Sequence, residues 1–551
     1  MMRAIAAAVV CMSGFTVGCS GAGDDGDKPP VLEITSPARG TLVEGESVNV
    51  TGKVTDESWA SVKVTVGGVE VPTATDGTFQ TTVPVIDGIA IIESHAIDNH
   101  GHDVRDVRAV LAGTLAPTDG TTAGKVGARA GVPALRAIGN AVATQAKMIN
   151  FTQAAQALNP VYNNDGCLGA KINITSINLS DLGVALAPKP NILSTDVTIS
   201  NLDVRLAANF KVACIGGSTT ITLKATKAKV HGDLAAAISA GKIATSLPAA
   251  TVTFEGFTID VGGVPGAIES LLKDQARDGV ARALESAIKS KVPPIADSTL
   301  AGLVAKPLST SILGADTAIS VTPTKVSLSA DELFVGLDTK VRITGGEGGT
   351  ALTTPTTLSP ASMSQTQGLG VALDDDVANQ LLAGLWAADK FDLSLTIDSI
   401  PALGALLDDD ARTIDLALAL PPTVSTASGQ LELALGDAMI LVKDELGNDV
   451  HTIALSLRTT LEAEPSQSGK ILLTVGSPTV YAQVLAQSAV VEEPLTDSQV
   501  EALVTAAWGL VGVKADDALS NLPLPSIAGV QLGAPTIEAG DGFVLADIPL
   551  Q

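Results

Sequence analysis

The side chains best suited to chemistry crowd into one stretch, HAIDNHGHD, where His95, Asp98, His100, His102 and Asp103 lie close together. Imidazoles and carboxylates at such spacing can form a metal-ligand set. The same stretch also spells a turn, because Asp98, Asn99 and Gly101 are residue types that reverse a chain between two strands. The turn is the preferred reading, with the histidines on an exposed hairpin tip and no metal expected. Of the other histidines, His231 and His451 have no recognisable nucleophile nearby. The acidic triplet Asp374, Asp375 and Asp376 lacks the spaced Asp and Gly residues of a calcium loop. It suits a helix cap and first turn, where the helix dipole favours negative charge. GEGGTA, from Gly346 to Ala351, formally fits a dinucleotide fingerprint, but a Thr/Pro-rich loop follows it instead of a helix. GxSxG, HExxH and Walker patterns do not occur. The expectation is a protein that is not an enzyme, with no catalytic residue, cofactor or metal.

The elements around these residues must be built mainly of aliphatic side chains. Hydrophobic residues make up 46% of the 551-residue chain, charged residues 17% and aromatics 3%. After residue 30 no apolar run is long enough for a membrane-spanning helix. The apolar excess is therefore hidden in cores or presented to an apolar ligand. The formal charge of -25 argues against nucleic acid or an anionic surface as partner, since both call for a positive field.

The opening MMRAIAAAVVCMSGFTVGCSG has a basic Arg3, a short apolar run and small residues leading to Cys19, as in a secretory signal. TVGC resembles the lipobox of bacterial lipoproteins. That resemblance implies a signal peptide over 1–18, acylation of Cys19 and, with Ser20 following it, an outer-membrane address on the periplasmic or cell-surface face. The simpler alternative is a plain signal peptide cleaved nearby. Residues 19–30 read as a flexible tether. With Cys11 removed and Cys19 acylated, Cys167 and Cys214 remain as an even pair in an oxidising compartment, so a disulfide is expected between them. Such a bridge is worth about 3 to 4 kcal/mol in the chain-entropy model. A metal pair there lacks other soft ligands.

Residues 31–112 alternate in short runs separated by turn residues, the pattern of an antiparallel sandwich. They resemble the immunoglobulin-like modules of bacterial surface proteins. Residues 113–128 read as a linker. In the next unit, 129–345, a helical stripe of Leu135, Ile138, Val142, Ala146 and Ile149 comes first, then strands whose alternation changes phase between Ile174 and Ile177 and between Ile199 and Leu202. A long helix then carries Ile268, Leu272, Ala276, Val280, Leu284, Ile288 and Val292 in a row of fours, with Pro293 and Pro294 expected to stop it. Residues 346–367 read as a second linker. The last unit, 368–551, repeats the recipe: a helix from the acidic triplet, the alternating strands TIDLALAL, QLELAL, TIALSL and KILLTV, then a helix opened by a Thr496/Gln499 capping box. A pair of strands turning around Gly540, Asp541 and Gly542 closes the chain.

Taken in order, GVPGAIESLLKDQARDGVARALESAIKSKV, LGVALDDDVANQLLAGLWAADKFDLSLTI and NLPLPSIAGVQLGAPTIEAGDGFVLADI resemble the tubular lipid-binding family, specifically its two-barrel members like bactericidal/permeability-increasing protein. The resemblance implies an α+β fold with two antiparallel coiled-sheet barrels, each wrapped on long helices, in a boomerang-like pseudo-dimer behind the immunoglobulin-like sandwich. It also implies binding, and transfer, of a phospholipid or other acyl-chain lipid, with Leu135, Ile138, Val142, Leu382, Leu385 and Leu503 as candidates for the groove. Two features depart from the family pattern. The long helix has no cysteine, and the acidic chain lacks the basic first barrel through which animal defence members bind lipopolysaccharide. The alternative is a surface scaffold or adhesin working through the immunoglobulin-like module, with no ligand in the barrels.

Overall fold

The computed structural model describes residues 28–57, 61–304, 308–355, 357–361, 363, 368–397, 411–426, 429–465, 471–489, 491, 494–506, 508, 533 and 535–550. The signal segment, Cys19 and the stretch 509–532 lie outside these. The chain is mostly β, with an N-terminal β domain, two curled sheets and few helices.

In the N-terminal domain, alternation in SVNVTGKVT buries every second residue of the strand Ser47–Thr55. One three-stranded and one five-stranded sheet enclose a core of Val48, Val50, Val54, Val64, Val66, Phe79, Ile92 and Val110. Gly67 and Gly68, both at positive φ, make the tight turn between Lys63–Val66 and Val69–Val71.

The first curled sheet is built on two very long strands, Ile192–Val212 and Ile215–Ser239, paired along their length. So long a strand keeps one face inward only if its alternation changes phase. In Leu168–Asn178 the register shifts between Ile174 and Ser176, and at Asn201, φ 49°, the buried positions step from Ile199 to Leu202. Helix α1 (Val132–Ala146) packs on Asp181–Lys189. A short α2 (Phe151–Gln156) is capped by Asn150 Oδ1, which accepts from Gln153 N at 2.9 Å. Helix α3 (Gly266–Leu300) inserts its whole row of fours, each residue fully buried.

Pro293 and Pro294 do not stop α3; they lie inside it. The burial of Ala296, Thr299 and Leu300 beyond them favours continuing the helix. Strand Lys242–Ser246 also holds it there: Thr245 N donates to Asp297 Oδ1 at 2.6 Å, and Thr245 Oγ1 donates to the Pro293 carbonyl at 3.1 Å.

A central seven-stranded sheet draws on both units. Its order is Leu308–Ile312, Ala315–Leu328, Glu332–Ile343, Thr121–Gly131, Leu369–Asp374, Phe543–Ile548 and Thr536–Ala539. The expected linker 113–128 is thus corrected, because Thr121–Gly131 is the middle strand of this sheet. Its small residues, which read as a linker, are what closeness demands. A Cβ on Gly127 would stand 3.0 Å from the Phe334 ring. The second linker is partly strand as well, since Thr350–Thr353 pairs with Thr114–Pro117.

The second curled sheet runs Leu393–Thr396, Thr413–Leu418, Leu431–Lys443, Asp449–Pro465, Ile471–Val475, with Thr423–Ser425 and Thr479–Gln487 pairing off this path. Its helix over 497–506 opens with the expected reciprocal cap: Thr496 N donates to Gln499 Oε1 at 2.8 Å, and Gln499 N donates to Thr496 Oγ1 at 3.3 Å. Helix α4 (Asp375–Ala387) starts at Asp374, whose carboxylate accepts from Asp376 N. Among the described residues α3, with 35 residues, is the longest helix.

Candidate functional site

The candidate lining residues fall into different environments. Leu135, Ile138 and Val142 are fully buried on α1, in one aliphatic cluster with Leu182, Val184 and Leu186 and with the α3 row. The packing is close: a Cβ on Gly139 would meet the Val184 carbonyl at 2.7 Å. Leu385 of α4 joins this same cluster, whereas Leu382 and Leu503 are half-buried and lie in none of the described ones. The structure therefore does not gather Leu382, Leu385 and Leu503 into a single lining.

The second sheet carries a different surface. Leu418, Ile440, Val480 and Val484 stay only partly buried around Ala438, Ile453, Leu455 and Ala482, facing Val500 and Val504 of the 497–506 helix. Leu416, Leu431, Leu433 and Leu435 are half-buried too. The sequence signal for this wall is the every-second-residue Leu and Ile of TIDLALAL and QLELAL, which puts a continuous aliphatic row on one side of the sheet. Among the described residues, those of the first interior are buried, whereas the aliphatic wall of the second sheet is half-buried.

A buried charged cluster lies where the units meet. In Thr121–Gly131 the register against Glu332–Ile343 shifts between Thr122 and Val126, and Gly124 takes φ 66° within that irregularity. Lys125, 3% exposed, sits in the same bulge. Its ammonium lies 2.7 Å from Asp376 Oδ2 and 3.4 Å from Asp374 Oδ2, and donates to the carbonyl and hydroxyl of Thr354 at 3.0 and 2.9 Å. Thr353 Oγ1 and Thr354 N also donate to Asp376, while Thr426 N donates to Asp375 Oδ2 at 3.3 Å. Burial pushes Asp374 up to about 7 and Asp375 up to about 6, with the Asp376 charge adding in the same direction. The three carboxylates are close enough to hold a cation, but Lys125 already supplies positive charge there. Nearby, Arg129 pairs with Glu332 and donates to the Met363 carbonyl at 2.7 Å.

The histidine stretch forms the expected turn. Asp98 N donates to the His102 carbonyl at 3.1 Å, and Asp98 Oδ1 accepts from His100 N and His102 N. Desolvation opposes ionisation of Asp98, yet the bonds from the His102 ring and these backbone groups bring it down to about 2. His231 pairs with Asp196 on an exposed surface, and His451 is buried in the second sheet. Cys167 and Cys214 form a disulfide, with Cys214 N donating to the Cys167 carbonyl at 3.2 Å. It ties the apex between the two longest strands to the strand beside them.

No curated protein matches this chain. A family model described as glucodextranase, domain B, matches residues 30–113, the N-terminal β domain. Among solved structures, the chain is similar to lipopolysaccharide binding protein at 14% identity, over 78% of this chain and 99% of that one, with a TM-score of 0.43. It is also similar to the fibronectin(III)-like modules of Clostridium thermocellum CbhA, at 13% identity, 34% and 92% coverage and a TM-score of 0.14. Latherin follows at 12% identity, 30% and 75% coverage and 0.16. These structural likenesses are too loose to bear on function, and the family match speaks for the immunoglobulin-like domain alone.

Proposed function

We propose that this protein binds a phospholipid or another acyl-chain ligand against the aliphatic wall of its second curled sheet. The observation that carries this reading is a set of half-buried aliphatic side chains on that sheet, Leu418, Ile440, Val480 and Val484 clustered with Val500 and Val504, together with the half-buried Leu416, Leu431, Leu433 and Leu435. An acyl chain laid along it would gain about 0.8 kcal/mol per buried CH₂. The scarcity of aromatics suits such a ligand, because aliphatic walls match flexible chains, and the ordered resemblance to two-barrel lipid binders points the same way. The first interior, closed around α1 and α3, would take a ligand only by opening.

The reading extends to location and mode of action. The chain would be exported, acylated at Cys19 and held at the outer membrane, acting by binding and transfer without catalysis. A scaffold acting through the N-terminal domain alone is the weaker alternative, because that domain is packed against the second sheet. The test is to extract the purified full-length protein with organic solvent and analyse the extract by mass spectrometry. Near-stoichiometric acyl lipid is expected, and an extract without acyl compounds sinks the reading.

A further inference from the structure

The junction between the N-terminal domain and the second sheet is built to a degree that a tethered module would not need. Strand Leu431–Lys443 loses register against Asp449–Pro465 between Leu435 and Ala438, so Gly436 and Asp437 stand opposite the single residue Ser456. This is a β-bulge, a device that re-aims a side chain. Asp437 takes φ 45°, and its N–H donates to Ser456 Oγ at 3.0 Å. Its carboxylate, 1% exposed, is aimed into the N-terminal domain, where Oδ1 accepts from Arg39 Nη1 at 2.7 Å and Oδ2 from Ala109 N at 3.0 Å. Arg39 also donates to the Val107 carbonyl at 2.6 Å and to Gln483 Oε1, and Gln483 Oε1 accepts from Val107 N at 3.0 Å.

The apolar part is equally specific. A Cβ on Gly436 would stand 2.9 Å from Ala109 Cβ and 3.0 Å from both Ile89 and Leu420, so the two elements approach this closely only over glycine. Ile89, Ala109 and Leu111 of the domain share one buried cluster with Leu352, Leu420 and Ala434. At the margins Arg458 Nη2 donates to the Ile89 carbonyl at 2.8 Å, and Arg105 pairs with Glu501 of the 497–506 helix at 2.9 Å. A buried carboxylate is costly unless paired and hydrogen-bonded. Asp437 is both only while the domain is docked.

We infer that the immunoglobulin-like domain serves as the outer wall of the second unit, and that the two form one cooperative body latched at Gly436–Asp437. Its partner is this sheet, so the domain faces that hold the latch are closed to other molecules. The inference does not depend on any ligand. Hydrogen exchange read by mass spectrometry on the full chain tests it, comparing the natural sequence with Arg39→Met and Gly436→Val. Exchange in Asp103–Ala112 and Leu431–Lys443 should accelerate together, at least tenfold, while Ile192–Val212 in the first sheet stays unchanged and shows that the rest is folded. Acceleration confined to the domain strand, or absent from both strands, in the milder Arg39→Met variant overturns the latch.

Discussion

At the scale of single residues, two bulges each place a charged side chain at a junction. One holds Lys125 in the middle strand of the central sheet; the other sends Asp437 into the N-terminal domain. A charge at these positions is stable only with its partners in place, because desolvation in the interior is not offset otherwise. Lys125→Met should therefore destabilise the protein by about 3 to 5 kcal/mol near neutral pH, measured by urea unfolding. The loss should be smaller at pH 5 than at pH 8, since Asp374 and Asp375, raised to about 7 and about 6, take up protons at the lower pH. A loss independent of pH would mean that Lys125 acts by packing alone. Neither bulge was legible beforehand. Lys125 lay in a Gly/Thr-rich stretch that reads as a linker, and Asp437 is one acid among many.

At the scale of elements, periodicity was informative wherever burial is one-sided. The row of fours on α3 is fully buried from Ile268 to Val292, as the sequence predicts. Leu284→Ala, in the middle of that row, should cost about 2 to 5 kcal/mol, because the surrounding strands cannot close over the lost volume. A shift in urea midpoint too small for that range would show a looser interior than the packing implies. The same reading failed at Pro293 and Pro294, where local preference lost to tertiary contacts: Thr245 and the buried residues past the prolines hold the helix in line. The second-unit lining candidates Leu382, Leu385 and Leu503 lie on helices, and a half-buried aliphatic surface lies on the sheet.

At the scale of the whole molecule, the units are joined through shared structure. The central sheet takes strands from both, and the Lys125 cluster connects it to α4 and, through Thr426 and Asp375, to the second sheet. This cluster should make stability pH-dependent. The folded pKa values of Asp374 and Asp375 lie above the ordinary 3.8, so between that value and about 7 the folded state binds more protons than the unfolded chain. Its contribution is complete below pH 4 and is lost as the pH rises through 6 and 7. Urea unfolding from pH 4 to pH 8 should show this decline flattened in Asp374→Asn, and an unchanged slope would rule the cluster out as its source. The sequence by itself determined what periodicity and composition encode: an aliphatic protein, a β-rich N-terminal domain, a long buried helix, coiled strands with phase changes, a Cys167–Cys214 bridge and the helix capped by Thr496 and Gln499. Only the tertiary structure decided that the supposed linker is the central strand, that the N-terminal domain is latched to the second sheet, and which aliphatic face stays partly open. Those outcomes depend on side chains brought together from positions hundreds of residues apart, such as Arg39 with Asp437 and Lys125 with Asp376, and no local pattern records such a pairing.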